Sequence, residues 1–277
     1  MSVERITKET KQTQKALIYQ ADLHTRTVQT WLSSRSPNAV CIDGLGVKAS
    51  STGLPVPLLN LALSKRYPTG TSENEIVSEI EKIKKFFLGR KVPWYWWLGP
   101  YPKPSNMAEH LKNQGLVFDR EPLPAMVAPL PAQIVAYSSE IQVWQASTKA
   151  DLEAASTIRR KAFRFPEGSV LSYFEDMSDD WLASDSVRLY LACVKGGPPA
   201  AIGALIIRAN LPGVYVMATL PEWKRQGLGK AILSRILIDA VNAGYPYIVL
   251  TASRFGYPLY QQFGFEEIFA YSLYYCP

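Results

Sequence analysis

In the stretch PEWKRQGLGKAI, from Pro221 to Ile232, two glycines one residue apart stand among Lys224, Arg225 and Lys230. Glycines let backbone amides approach a ligand closely. A helix beginning here would add unpaired N–H groups and the positive end of its dipole. Those are the ingredients of an anion site, with basic side chains at its rim. Spacing excludes two nucleotide loops. A dinucleotide fingerprint needs a third glycine where Ile232 stands, and a nucleoside-triphosphate loop needs Ser or Thr where Ala231 follows Lys230. Taken alone, the segment reads better as a turn before a helix.

Other candidate chemistry is sparse. His24 and His110 are the only histidines, and neither lies near a cysteine or carboxylate cluster at metal spacing. Metal catalysis and Ser-His or Cys-His nucleophiles are therefore disfavoured. Cys41, Cys193 and Cys276 are an odd number and far apart, which predicts buried free thiols in a reducing compartment. The net charge of +6 falls entirely within the first 138 residues. Its densest group, EKIKKFFLGRK, reads as one helix face and its C-terminal end. With no aromatic-interleaved basic stripe, nucleic acid is a disfavoured partner. The basic group Arg159, Arg160, Lys161 and Arg164 reads as a solvated helix face. No apolar run approaches the length of a membrane span, and the polar first 30 residues lack a signal-peptide core. The expectation is a cytoplasmic protein without a membrane partner.

The elements that must position the glycine segment are clear in the second half. A proline-rich stretch, REPLPAMVAPLPAQIVAYSSE, sets a domain boundary near residue 138, giving units 1–138 and 139–277. Then follow a strand in EIQVWQAS, a helix in ADLEAASTIRRKAF, a looser helical stretch through SYFEDMSDDWLASD, and a hairpin in VRLYLACVKGGPPAAIGALIIRAN. GVYVMATL is a strand leading into the glycines. Apolar residues from Ile232 to Val241 then recur at helical spacing, with Gly244 and Pro246 as stop signals. YPYIVLTAS is a strand buried on both faces, and a short helix, GYPLYQQFG, and a strand, EEIFAYSLYY, finish the chain.

The first half has the same outline with weaker signals. Helical residues run to about Ser34, and a hairpin turns around Asp43-Gly44. A helix over 73–88 opens with a capping box of Ser72 and Glu75. An aromatic strand, VPWYWWLGP, should send Trp94 and Trp96 to one face and Tyr95 and Trp97 to the other. These four could wall a substrate site, but burial in an inter-domain sheet is the preferred reading. The helix NMAEHLKNQG and a strand from Ala125 to Leu130 follow.

The run Lys224-Arg225-Gln226-Gly227-Leu228-Gly229-Lys230, the strand before it and LTASRFGYPLYQQFGFEE after it together resemble the GNAT (GCN5-related N-acetyltransferase) superfamily. The resemblance covers the second half and its element order. It implies an α/β fold with a mixed sheet, present as two similar domains in tandem. The family's phosphate loop, (Arg/Gln)-x-x-Gly-x-(Gly/Ala), is filled from Lys224 to Gly229, with Lys departing at its first position. By this resemblance Arg225, Gln226, Gly227, Leu228, Gly229 and Lys230 wrap the pyrophosphate of acetyl-CoA, the co-substrate. Met217, Ala218 and Thr219 pair their backbone with its pantetheine arm. Ser253 hydrogen-bonds it from a strand end, and Tyr260 sits near its sulfur.

The implied reaction is direct transfer of an acetyl group to a primary amine of a small-molecule or peptide acceptor, with Tyr260 protonating the leaving thiolate. The competing reading of Tyr260 is a core aromatic. No base is assigned: Ile248 occupies the strand position that is acidic in some relatives, and Glu222, Glu175 and Asp176 read as solvated carboxylates. In the first half the segment leading into the helix at 73–88, PLLNLALSKRYPTGTSENE, has one glycine, Gly70, and no glycine pair, so this half reads as a degenerate GNAT-like unit without a phosphate loop. The competing function is a non-catalytic acyl-CoA-binding or interaction protein. Acceptor, acyl-chain preference and oligomeric state are left open, with room for a homodimer.

Overall fold

The computed structural model describes residues 3–165 and 174–277. The chain begins with a 32-residue helix, α1 (Val3–Ser34), and a hairpin of β1 (Val40–Asp43) and β2 (Val47–Ser51). After β3 (Asn60–Ser64), α2 (Glu73–Arg90), β4 (Tyr95–Leu98), α3 (Met107–Asn113), β5 (Val117–Phe118) and β6 (Leu123–Pro129) complete the first half. The second half runs β7 (Ile141–Gln145), α4 (Lys149–Ala162), α5 (Ser178–Ala183), β8 (Val187–Val194), β9 (Ala201–Arg208), β10 (Leu211–Thr219), α6 (Leu228–Asn242), β11 (Tyr247–Thr251), α7 (Tyr257–Gln262) and β12 (Glu266–Tyr275). Part of the looser helical stretch expected before α5 lies outside the described residues.

The strands form one mixed sheet ordered β1-β2-β3-β4-β12-β6-β11-β10-β9-β8-β7, with β5 on the free flank of β12. Two exchanges join the halves. β6, from the first half, lies between β11 and the start of β12, antiparallel to both. The end of β12 crosses back: Ser272–Tyr274 pair with β4, and Tyr274 and Tyr275 pair with β5. Each half thus receives one strand from the other. Proline cannot donate to a ladder, which normally bars it from a central strand. In β6 the two prolines sit where it has one neighbour only, Pro124 opposite Ala270 and Pro129 opposite Tyr247.

Alternation along β4 divides its aromatics as the pleat requires. Trp94, which precedes the strand, and Trp96 enter the first half's core, where Trp94 stacks on Phe87 with centroids 4.4 Å apart. Trp97 joins Leu61, Leu63, Ala125, Tyr271 and Leu273 in a core where the exchanged strands meet. The larger core belongs to the second half, yet Val28 and Leu32 of α1 are part of it.

α1 is also tied to that sheet by buried polar contacts. His24 Nε2 lies 3.2 Å from the Ile206 carbonyl, and its Nδ1 is 3.0 Å from the Tyr215 hydroxyl. Tyr271 donates to Asp22 at 2.9 Å, and Asp22 is 3.0 Å from Arg26. Burial drives the imidazole down to about 4, outweighing its bonds to the Ile206 and Leu211 carbonyls. It is therefore neutral at pH 7, donating from Nε2 and accepting from Tyr215 at Nδ1.

Two expectations need correction or restatement. The thiols are not all buried: Cys193 is, but Cys41 and Cys276 are exposed. Cys41 lies on β1, whose free edge faces solvent, so an apolar-looking run does not bury it. Among the described residues, no three His, Cys, Asp or Glu side chains gather as a metal site, and no helix is long and apolar enough to cross a membrane.

Each half lacks a strand of its own sheet, so fragments 1–138 and 139–277 should show no cooperative denaturant transition alone and regain one when combined. Circular dichroism during urea titration checks this, and an independently folded fragment would contradict it. The buried His24 makes a second prediction. Its folded-state value lies below the unfolded value, so the unfolded chain binds more protons between pH 6.5 and 4, and acidification destabilises the fold. The loss should reach about 3 kcal/mol by pH 4. Asp22, raised by burial, opposes this in part. The slope of stability against pH should therefore be shallower in His24→Gln than in the parent.

Candidate active site

The site begins where β10 leaves its neighbour. β10 runs parallel to β11 through Gly213↔Val249 and Val214↔Leu250, and the pairing stops there. On its other side β10 stays paired to β9, but with a bulge: Tyr215 opposes Ala204 and Ala218 opposes Ile202, so Val216 and Met217 share the place of Gly203. Val216 takes a left-handed φ of 48°, a costly conformation for a β-branched residue. Gly203 makes the bulge possible. A Cβ there would lie 2.3 Å from the Met217 sulfur and 2.6 Å from Ile232 Cγ2. The bulge turns β10 away from β11 and leaves Val216 to Thr219 half-exposed in the middle of a sheet. Met217, Ala218 and Thr219 thus present an unpaired backbone edge to the gap.

The glycine segment follows directly. A 3-10 turn, Pro221–Trp223, leads to Lys224, Arg225 and Gln226, all exposed. Arg225 has a φ of 66° and Gly227 a φ of 91°, so the loop folds back on itself twice before α6. Gly227 is the N-cap of α6 and offers no side-chain cap. The first helical bond is from Ala231 N–H to the Gly227 carbonyl. The amides of Leu228, Gly229 and Lys230 precede it and face outward without an acceptor among the described residues. Leu228 is buried and anchors the turn. Replacing Gly227 would impose a left-handed side chain and bring its Cβ within 3.2 Å of Ile141 Cδ1, so this position serves the fold as well as any ligand.

The corresponding helix of the first half is built oppositely. At the start of α2, the Ser72 hydroxyl accepts from Glu75 N–H at 3.3 Å and Glu75 accepts from Ser72 N–H at 2.8 Å. Glu73 and Glu75 occupy its first turn. A helix end already occupied by carboxylates repels an anion. At the ends of β3 and β4 lies a small pocket of about 50 Å³.

The gap between β10 and β11 opens into a cavity of about 930 Å³ lined by both halves. Ser253 stands at its edge just past β11, its hydroxyl accepting from Gly256 N–H at 3.2 Å to start α7. Tyr260 lines the cavity, is 7% exposed and packs edge-on against Phe265. Its hydroxyl has no hydrogen-bond partner among the described residues, and burial raises its pKa well above the ordinary phenol value. The phenol therefore keeps its proton at any physiological pH. α7 also abuts the glycine segment, since a Cβ on Gly229 would touch Leu259 at 3.5 Å.

From the first half come Gln29 and Leu32 of α1, Val56 to Leu59, Tyr95 and Trp97, and the loop 119–124. Trp97 is thus buried and Tyr95 half-buried in the inter-half sheet, and both are part of the cavity wall. Tyr95 donates to Asp119 at 2.8 Å, and burial together with that carboxylate pushes its phenol up to about 12. Glu121 pairs with Arg254 at 2.6 Å, and Ala252 N–H bonds to the Pro124 carbonyl at 2.8 Å. Loop 119–124 is thereby fastened to the end of β11. Nothing in REPLP announced these contacts, because they depend on where β6 inserts. Of the basic group on α4, Arg159 is buried and lines the cavity, while its neighbours are half-buried or exposed. Glu222 is exposed, and Glu175 accepts from the Ser156 hydroxyl; neither lines the cavity.

Residues 165–272 match the family model described as an acetyltransferase (GNAT) domain. The fold of the whole chain is similar to a GCN5-related N-acetyltransferase from Kribbella flavida, at 17% identity and a TM-score of 0.64, over 91% of this chain and 95% of that one. A GCN5-related N-acetyltransferase from Sphaerobacter thermophilus is similar at 14% identity and a TM-score of 0.64, covering 84% and 81%. A tandem GNAT protein from the clavulanic acid biosynthesis pathway aligns at 12% identity and a TM-score of 0.60, over 96% and 94% of the two chains. No curated protein matches the sequence. Residues 165–272 therefore match a GNAT acetyltransferase domain, and the fold of the whole chain is similar to that of GNAT proteins, a tandem one among them.

Proposed function

We propose that the protein is an N-acetyltransferase that moves an acetyl group from acetyl-CoA to a primary amine by direct attack. The observation that carries this is the parting of β10 from β11 beside an uncapped, glycine-lined helix start. Residues 139–277 are the acetyl-CoA unit in this reading, and residues 1–138 are a degenerate partner that walls the acceptor cleft. The residues fit the cofactor. The outward amides of Leu228 to Lys230, with the turn at Arg225, Gln226 and Gly227, would hold the diphosphate. The free backbone edge of Met217, Ala218 and Thr219 would pair with the pantetheine amides as a strand pairs, and the Ser253 hydroxyl can still donate to that arm.

Acetyl-CoA supplies the acyl group as a thioester. The backbone at the β10 bulge lies beside the gap and would hold the carbonyl in place. The acceptor amine enters neutral from the first-half side, its nitrogen bonds the carbonyl carbon, and the carbon–sulfur bond breaks. Tyr260 gives its proton to the departing sulfur and is restored by the proton the amine gives up. Its pKa, raised by burial, keeps that proton in place until an anionic sulfur is there to receive it.

A thiol-release assay with acetyl-CoA over an amine panel tests the reading. Binding without turnover on any amine would favour a non-catalytic acyl-CoA-binding protein. Gly229→Val leaves the left-handed loop positions intact and should weaken acetyl-CoA binding at least about tenfold, roughly 1.4 kcal/mol, by calorimetry. Tyr260→Phe should lower kcat about 100-fold with acetyl-CoA affinity unchanged. An unchanged kcat would reduce Tyr260 to a packing residue.

A further inference from the structure

We infer that the acceptor is a hydrophobic monoamine, a single primary amino group on an aromatic or bulky apolar body. The inference rests on the acyl-transfer reading above and concerns the part of the cavity walled by the first half. Polyamines and aminosugars carry several cations and need several free carboxylates to hold them. Among the described residues two carboxylates line this cavity, and both are engaged: Asp119 accepts from Tyr95 and from the Glu121 amide, and Glu121 pairs with Arg254. Arg120, Arg159 and Arg254 also line it, so among the described lining residues guanidinium groups outnumber carboxylates and a polycation finds no free anion to hold it.

The remaining wall is apolar and aromatic. Leu32, Leu59, Trp97 and Leu273 form its inner part, all of them buried core residues that turn an apolar side to the cavity. At its opening Leu58, Phe163 and Phe255 are 43%, 47% and 82% exposed. Side chains so exposed add little to the core, and three of them around one opening form a surface suited to an apolar ligand. Phe255 carries the Arg254 guanidinium 4.7 Å from its ring, which ties it to the Glu121 pair across the cleft. The amine is then the acceptor's one polar end. It points toward Met217 and Tyr260, where the acetyl group is transferred, while the body lies between Trp97 and the Phe255 rim.

The test measures acetyl-CoA binding by calorimetry and turnover with tryptamine, phenethylamine, spermidine and kanamycin. Tryptamine or phenethylamine should exceed spermidine and kanamycin in kcat/KM by about 100-fold, because the apolar wall rewards the body and the lining holds no free carboxylate for added cations. Phe255→Ser, at an exposed position that cannot unfold the core, should lower kcat/KM for tryptamine about tenfold with acetyl-CoA affinity unchanged. Trp97→Phe should lower it in the same sense. Preference for spermidine or kanamycin, or no effect of Phe255→Ser, would overturn the inference and leave the acyl-transfer reading standing. Binding of acetyl-CoA without turnover on any amine would overturn the inference and the enzymatic reading together. Absence of acetyl-CoA binding would overturn the cofactor assignment itself.

Discussion

The structure depends on the reciprocal exchange of one strand between its halves. β6 fills the second sheet between β11 and β12, and the end of β12 fills the first sheet between β4 and β5. A strand interior to a sheet is hydrogen-bonded on both flanks, so neither half can release its lent strand without opening a sheet. The exchange fixes the distance between the halves, and that fixes the cavity. Loop 119–124 forms its wall because it is the chain leading into β6. Trp97 and Leu273 meet across the exchanged pair, and both face the same space. The contacts of α1 reinforce the joint, since His24 and Asp22 spend their polar groups on the sheet of the other half.

Within that frame, the site is made by two local departures from regularity. One is the bulge at Val216 and Met217, which needs the missing side chain of Gly203 on the facing strand. The other is the uncapped start of α6. Helix starts are ordinarily closed by a side chain, as at Thr148 for α4 and Ser72 for α2. Here Gly227 supplies geometry but no acceptor, and the amides stay available. The two halves share an outline but differ at this point. Ser72 and Glu75 make α2 a better-capped helix and a poor anion site, whereas α6 gives up that stabilisation and leaves its amides free.

Much of the second half was legible in the sequence. The 3.6-residue recurrence from Ile232 to Val241, the unbroken apolar run of β11 and the alternation of β12 each report one neighbour relation repeated along one element. The division of Trp94 and Trp96 from Tyr95 and Trp97 follows from the pleat alone. The glycine pair fixed where α6 could start uncapped. Less legible was Gly203, an unremarkable residue in an apolar strand, whose meaning depends on Met217 lying opposite. The exposure of Cys41 was missed because an edge strand and a central one can have the same composition.

The sequence by itself determined most of the elements and their order, though not β3 or β5, and a glycine-lined place where backbone amides could be left open. These are local properties, set by periodicity, capping residues and glycine conformations within a few positions. The tertiary structure alone decided which half lends β6, how far β10 and β11 part, and which residues of the first half wall the cleft. Those depend on pairings between segments far apart in the chain, such as Ala125 with Thr251 and Phe269. Periodicity says that a strand will pair, but the identity of its partner is a property of the whole sheet. The helix start at Gly227 was therefore readable from one stretch of twelve residues, while the walls of the cleft emerged only when both halves had folded against each other.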